Sequence, residues 1–293
     1  MAYLDIPNLY KAQDILLFRE CYALEKIHGT SAHVAWKDAA VRFFAGGVGH
    51  EQFVKLFDGA ALAAAFSTAG APEAIIYGEA YGGKCQGMSG TYGKALKFVA
   101  FDVKIGKCWL AVPQAEEFVK TFGLDFIAYA RIPATVEAIE GERDRPSVQA
   151  ERNGMGTHPR EGVVLRPLIE LTKNNGERVI AKHKNDAFKE TRTARALDPA
   201  KLHVLSEANA ITDEWATEMR LTHVLDGLGG EVGMERMADV LRGMIADIER
   251  EGRGEIVESK DARKAIGRRT LEMFKSRIQA RLAHQAPAAE PTQ

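Results

Sequence analysis

Apolar residues recur along this chain in two different rhythms. From about Cys21 to Lys189 the apolar runs are short, rich in β-branched and aromatic residues, and broken by glycines, the pattern of strands. "CYALEKIHGTSAHVAW", Cys21 to Trp36, reads as strand, turn, strand. "VRFFAGG" is a further strand that stops on glycine, and "EAIIYGEAYGG" follows it. "LKFVAFDVKIGKCWLAV" predicts a hairpin turning at Ile105-Gly106-Lys107, and "FIAYARI" another strand. "EGVVLRPLIELTKNNGERVIAKHK" predicts two strands joined through Asn174-Asn175-Gly176, where Asn-Gly favours a tight turn. Helical spacing interrupts this series twice. "HEQFVKLFDGAALAAAFSTAG" carries it, and "PQAEEFVKTFG" opens on proline and closes on glycine.

From about Asp198 onward the period changes to three and four residues. "DEWATEMRLTHVLDGLG", "GMERMADVLRGMIADIERE" and "DARKAIGRRTLEMFKSRIQARLAHQ" read as helices. The chain is therefore expected to be α+β: a domain of antiparallel sheets with flanking helices over residues 1–197, then a small all-α domain over 198–284. The end of the chain, 285–293, contains the proline- and alanine-rich "APAAEPTQ" and is expected to be disordered. The glycine-rich piece Tyr81 to Gly93 reads as a mobile connection between strands. It lacks the G-x-x-x-x-G-K-[ST] spacing of a phosphate-binding loop.

Composition narrows the classes. The 293 residues are 46% hydrophobic and 27% charged, ordinary for a water-soluble globular chain. A formal net charge of -1 gives no global attraction to nucleic acid or membrane, so any basic surface must be local. The last helix is the basic one, with Arg263, Lys264, Arg268, Arg269, Lys275, Arg277 and Arg281. It is either a solvated face or a contact for a phosphate backbone. Cys21, Cys85 and Cys108 stand far apart and read as small apolar residues in a reducing compartment. The N-terminal stretch has early acids and no apolar signal core, and no apolar run approaches the ~20 residues of a membrane span. A cytoplasmic location without membrane association is expected.

Lys26 is the residue most able to carry chemistry. A lysine attacks well when desolvation or nearby cations favour its neutral form. "IAKHKND" places Lys182 and Lys184 two apart, on one face of a strand, so three lysines could line one pocket suited to a triphosphate. Glu79 and Glu161 each stand at a strand boundary beside glycine, and Asp102 lies inside "FVAFDV". Such carboxylates hold a divalent metal, a ribose hydroxyl or a neighbouring cation. Each residue also has a plainer reading. His28-Gly29 can make a hairpin turn, Thr30 and Ser31 can be turn hydroxyls, and Lys182 and Lys184 can be the wet face of an edge strand.

The order of these elements says more than any one of them. E-K-x-H-G-T comes first, then Arg42 in "VRFF", then G-E-x-Y-G, F-x-x-F-D, E-G-V-V and A-K-x-K. Over Leu24 to Lys184 this ordered set resembles the covalent nucleotidyltransferase superfamily of polynucleotide ligases and capping enzymes. It is most similar to the RNA ligase 2 group of phage RNA ligases and trypanosome RNA-editing ligases, and His28 favours that branch. The resemblance implies an ATP-grasp-like nucleotidyltransferase fold and an ATP-dependent RNA ligase that seals 3′-OH/5′-phosphate nicks. Its intermediates would be lysyl-AMP and adenylylated RNA.

Residue by residue, the resemblance implies Lys26 as nucleophile and Lys182 and Lys184 as the pair engaging the α-phosphate. Glu25 would lie with its backbone near the adenine edge, and His28 near the phosphates. Arg42 would contact ribose or nucleic-acid phosphate, and Glu79 the ribose. Phe101, helped by Phe98, would stack on adenine. Glu161 would be linked to Mg²⁺ or Mn²⁺. The implied partner is nicked duplex RNA or an RNA–DNA hybrid, bound by a monomer. The competing readings are a DNA ligase or capping-type enzyme, or an inactive nucleic-acid-binding relative. Ser31 stands where phage relatives often have asparagine, a position tied to the sealing step. No oligonucleotide-binding barrel is legible after Lys184.

Overall fold

The computed structural model describes residues 3–70, 72–173, 175–188, 199–230 and 232–285. The chain divides into two compact units. The first comprises Met1–Ile15 and Glu20–Arg195, the second Leu16–Arg19 and Ala196–Gln293. The expected boundary at 197/198, Asn174 of the expected turn and the tail beyond Gln285 lie outside the described residues.

In chain order the first unit holds β1 (Glu20–Lys26), β2 (Thr30–Lys37), β3 (Ala40–Ala45), α1 (His50–Val54), α2 (Gly59–Ala69) and β4 (Ala74–Gly82). There follow α3 (Ser89–Tyr92), β5 (Leu96–Ile105), β6 (Cys108–Trp109), α4 (Val112–Lys120), β7 (Tyr129–Pro133), α5 (Val136–Arg143), α6 (Val148–Arg152), β8 (Gly162–Pro167) and β9 (Ala181–Lys184). The strands form a four-stranded sheet in the order β7-β1-β8-β9 and a five-stranded sheet in the order β3-β2-β4-β5-β6. Every pairing within these sheets is antiparallel.

Strand β1 does not pair with β2. It sits between β7 and β8, while β2 pairs with β3 and β4 in the other sheet. Ile27 to Gly29 is therefore a crossover between sheets and not a hairpin turn. Glycine is required there, since a Cβ on Gly29 would stand 2.4 Å from the Ala80 carbonyl oxygen and 2.9 Å from Glu79 Cγ.

Two other expectations are corrected by packing. "HEQFVKLFDGAALAAAFSTAG" is two helices, because Asp58 stops the first turn and caps α2. Its carboxylate accepts from the Ala60 and Ala61 N–H groups at 3.0 Å. The glycine-rich Tyr81 to Gly93 stretch is a 3₁₀ turn followed by α3, and it is pinned. Tyr81 and Tyr92 are both buried, with ring centroids 5.4 Å apart, edge to face.

The core of this unit gathers Leu24 from β1, Val34 and Trp36 from β2, Ile76 from β4 and Val99 and Val103 from β5. Phe66 of α2 and Val119 of α4 close it from the helices. Trp36 stacks on Phe66 at 5.6 Å. Each such side chain contributes about 1.5–3 kcal/mol by leaving water. A buried ion network ties the sheets together. Asp102 of β5 is bound by Arg166 of β8 at 3.0 Å and by Arg178 at 2.6 Å, and both arginines also bind Glu170.

The second unit holds α7 (Pro199–Trp215), α8 (Glu218–Gly227), α9 (Met237–Glu251) and α10 (Lys260–Gln285). Leu221, Leu225, Val240, Met244, Ile248, Ile266 and Phe274 form its core. The stretch Asp213 to Gly229, expected as one helix, is broken between Trp215 and Glu218. Thr217 caps the new helix by accepting from the Arg220 N–H at 3.3 Å. No described helix is long and apolar enough to cross a membrane.

Candidate active site

Strand alternation decides what the E-K pair does. Leu24 and Lys26 share one face of β1 and Glu25 takes the other. Glu25 is buried, and its carboxylate accepts from Ser147 Oγ at 2.5 Å and from the Val148 and Gln149 N–H groups at 3.0 and 3.3 Å. It thus anchors β1 to the start of α6. Burial pushes its carboxyl upward, against the pull of those donors. Only the backbone of Glu25 is left for a ligand.

Lys26 is the last residue of β1, opposite Gly162 at the start of β8. Its Nζ donates to Glu161 Oε2 at 2.9 Å. Glu161 is 1% exposed, and Lys184 Nζ stands 3.3 Å from its other oxygen. His28 Nδ1 lies 3.4 Å from Oε2, so three side chains converge on this one carboxylate. The β8–β9 register supplies the geometry: Lys184 lies opposite Gly162, and Lys182 opposite Val164, on the same face. The expected cluster of three lysines is instead lysine, carboxylate, lysine, with Lys182 two residues along.

A cavity opens beside Lys26. Leu24, Val99, Ile127 and Val164 give it apolar walls, and Phe101 adds an aromatic one. Glu79, Ser31, Arg166 and Lys182 bring polar groups to it. Glu79 Oε1 accepts from the Gly29 N–H at 3.2 Å. Burial, aided by Glu161, pushes the Glu79 carboxyl up to about 7 against the opposing effect of Lys26. Phe98 is not in this cavity. Phe98 is one residue out of phase with Val99 and Phe101, which both line the cavity, so strand alternation turns it away, and it packs on Phe53 and Phe57 at 5.7 and 5.4 Å.

Arg42 stands apart from this group. It lies on edge strand β3 opposite Ala35, its side chain 61% exposed and paired with Asp38 at 3.2 Å. Its alternation along β3 directs it to solvent. Two contributors were missed in the sequence. Arg166 lines the cavity from within an apolar strand, where a lone charge among valine and leucine is itself a signal for a buried partner. The N-terminal residues Tyr3 to Ile6 form another wall. Tyr3 donates to Asp102 Oδ2 at 2.7 Å and sets its ring edge on Phe101 at 4.9 Å. Asp5 reaches Lys182 Nζ at 3.3 Å. Nothing local in sequence announces that wall, because its partners are about a hundred or more residues away.

Among the described residues, no group of three or more His, Cys, Asp or Glu side chains is arranged to hold a metal ion. Glu161 and Glu79 offer hard oxygen donors at adjacent positions. They fit a divalent cation only if phosphate and water complete its shell. Basic residues of α10 are largely engaged: Arg263 with Glu249 and Glu258, Arg269 with Glu272, Arg277 with Thr222.

The fold resembles solved structures of RNA ligase from Naegleria gruberi. A mutant with AMP and Mn aligns with TM-score 0.51 at 16% identity. A second mutant, with ATP and Mn, aligns with TM-score 0.50 at 16% identity. Each alignment covers 64% of this chain and 57% of the other, so the chain spans little more than half the length of those relatives. No curated protein matches the sequence. The RNA ligase family model matches residues 19–184. That span runs from the start of β1 to the last lysine of β9 and takes in Lys26, Glu79, Phe101, Glu161, Lys182 and Lys184. The chain therefore belongs to the RNA ligase family and is built on its nucleotidyltransferase fold.

Proposed function

We propose that this protein is an ATP-dependent RNA ligase of the RNA ligase 2 type, sealing 3′-OH/5′-phosphate nicks in duplex RNA or an RNA–DNA hybrid. The observation that carries this reading is Lys26, held 2.9 Å from Glu161 at the edge of a cavity with an aromatic and apolar wall and a second lysine.

In the first step Lys26 Nζ, having given up its proton, attacks the α-phosphorus of ATP. The N–P bond forms as the bond from that phosphorus to the bridging oxygen breaks, and pyrophosphate leaves. In the second step the 5′-phosphate oxygen of the nick takes the AMP, and the Lys26 N–P bond breaks. In the third, the 3′-hydroxyl attacks the adenylylated end, loses its proton, and expels AMP.

The protein's part is positioning and charge compensation. Phe101 and the apolar wall take the base, and stacking contributes about 1–3 kcal/mol. Lys182 and Lys184 offset charge on the phosphates. Glu161 holds Lys26 and Lys184 in place beforehand. A divalent cation, held by Glu161 or Glu79 with phosphate and water, would add further shielding of the phosphate charge. The neighbours with AMP, ATP and Mn support this choice of ligands by resemblance. The described second unit is helical and shows no barrel, which disfavours a DNA ligase or capping enzyme.

The test is covalent labelling. [α-³²P]ATP should leave a covalent label on the protein that is stable in alkali and is released by acid and by acidic hydroxylamine, as an N–P bond requires, while GTP and NAD⁺ should not. Labelling by GTP instead would sink the reading.

A further inference from the structure

We infer that the stacked pair Phe44 and His33, beside the cavity, is a platform for an unpaired nucleobase, that of the terminal nucleotide at the RNA 5′-phosphate end. This rests on the reading of the cavity as the ATP site of an RNA ligase and names how the polynucleotide is held next to it.

Alternation along β3 sends Phe43 into the core and Phe44 to the other face. Phe44 lies opposite His33 in the β2–β3 register, and their rings stack with centroids 5.0 Å apart and planes 18° from parallel. His33 is 5% exposed and meets Tyr77 edge to face at 5.4 Å, whereas Phe44 is 37% exposed. One ring of the pair is thus sealed and the other is open to solvent. The pair is continuous with the cavity. His33 is two residues from Ser31 on the same face of β2, about 6.5 Å along the strand, and Ser31 lines the cavity. A nucleotide whose 5′-phosphate enters the cavity can carry its base that far.

Two features select the occupant. Phe44 offers a flat apolar surface. His33 Nδ1 is buried and has no hydrogen-bond partner among the described residues, a costly state that native structures seldom keep. Burial pushes this imidazole down to about 4, so the ring is neutral near pH 7 and one nitrogen can accept. An aliphatic segment of another protein would cover Phe44 and leave the nitrogen unmet. A nucleobase brings both a ring face and a polar edge, and unpaired RNA bases are held by stacking on aromatic side chains of a sheet. A paired base already has its ring faces covered by its neighbours in the helix. The platform therefore suits an end whose last nucleotide is unpaired.

The test uses the full chain as wild type, Phe44→Ala and Phe44→Trp, each checked for folding by circular dichroism. The probe is a short 5′-phosphorylated RNA with 2-aminopurine as its first nucleotide, presented single-stranded or paired at a nick. Wild type should quench the single-stranded probe and leave the paired one unchanged. Phe44→Ala should lose the quenching and bind the single-stranded RNA about 5–100-fold more weakly, the loss of one base–aromatic stack, while Phe44→Trp keeps both. Equal quenching and binding by wild type and Phe44→Ala overturns the assignment. So does a change in sedimentation on mutation with RNA binding unaltered, which would make Phe44 a contact for a second copy of the chain. Labelling of wild type by [α-³²P]ATP is measured in parallel. Label without quenching overturns this inference alone, and a protein that takes no label overturns the ATP-site reading and this inference with it.

Discussion

Lys26 Nζ lies 2.9 Å from Glu161 Oε2, and Lys184 Nζ stands 3.3 Å from the other oxygen of the same carboxylate. One buried acid thus joins the ends of β1, β8 and β9. Its position follows from register, with Lys26 and Lys184 both opposite Gly162 on neighbouring strands. Taking a carboxylate out of water is costly unless it is paired, and here it is paired more than once. The arrangement holds the proposed nucleophile at a set place before any ligand arrives.

Lys26→Ala should abolish covalent labelling by [α-³²P]ATP and leave the protein folded. Glu161 would keep Lys184 and His28 as partners, so no buried charge is stranded. Label on the variant, read by autoradiography beside a circular dichroism spectrum, would remove Lys26 from the role.

Glu79 predicts a pH effect on stability. Its carboxyl is raised from 4.5 to about 7 by burial. The folded state therefore keeps a proton that the unfolded chain releases across that window. Stability contributed by the protonated acid is present below about 4.5 and is lost as pH rises toward 7. Between pH 5 and pH 8, wild type should lose about 1–2 kcal/mol more than Glu79→Gln. Urea denaturation at the two pH values measures this, and parallel behaviour of the two proteins would contradict it.

Glu25→Gln separates anchoring from binding. The side chain serves Ser147 and the first amides of α6, so the variant should lose about 1–3 kcal/mol of stability. Its KM for ATP should stay within about twofold, because its carboxylate is already engaged by Ser147 and the first amides of α6. A large rise in KM at unchanged denaturation midpoint would mean that the side chain turns to the nucleotide.

Asp102→Ala should be among the most damaging changes. Asp102 is fully buried and balances Arg166 and Arg178 while accepting from Tyr3. Removing one partner of a buried ion network costs about 3–5 kcal/mol. A thermal midpoint within a degree or two of wild type would show the network to be slack.

Arg42→Ala should change labelling by less than about twofold and stability by less than about 1 kcal/mol, as befits an exposed pair. A strong labelling defect would place Arg42 on the nucleotide in a conformation other than this one.

The division of labour between chain and fold is clear in particular residues. Strand periods, the Gly106 turn, the helical second half and the ordered run of Lys26, Glu79, Phe101, Glu161, Lys182 and Lys184 could be read directly. These depend on neighbours along the chain or on residue type at a strand position, and local sterics and alternation settle them. Even the shared face of Lys182 and Lys184 needed only a period of two.

Only the tertiary structure decided which sheet each strand joined. β1 and β2 are joined by three residues yet belong to different sheets, because long-range pairing with β8 and β4 wins over the local hairpin. The packing of Phe98 on Phe53 and Phe57 and the burial of Glu25 against Ser147 follow from that pairing. So do the Arg166–Asp102 contact and the wall made by Tyr3 and Asp5. Each is a relation between residues far apart in the chain, set by packing density and by the cost of an unpaired buried charge. Ser31 shows the same limit. In sequence it is a hydroxyl after a turn, and only its place opposite Glu79 on the cavity wall makes it part of a site.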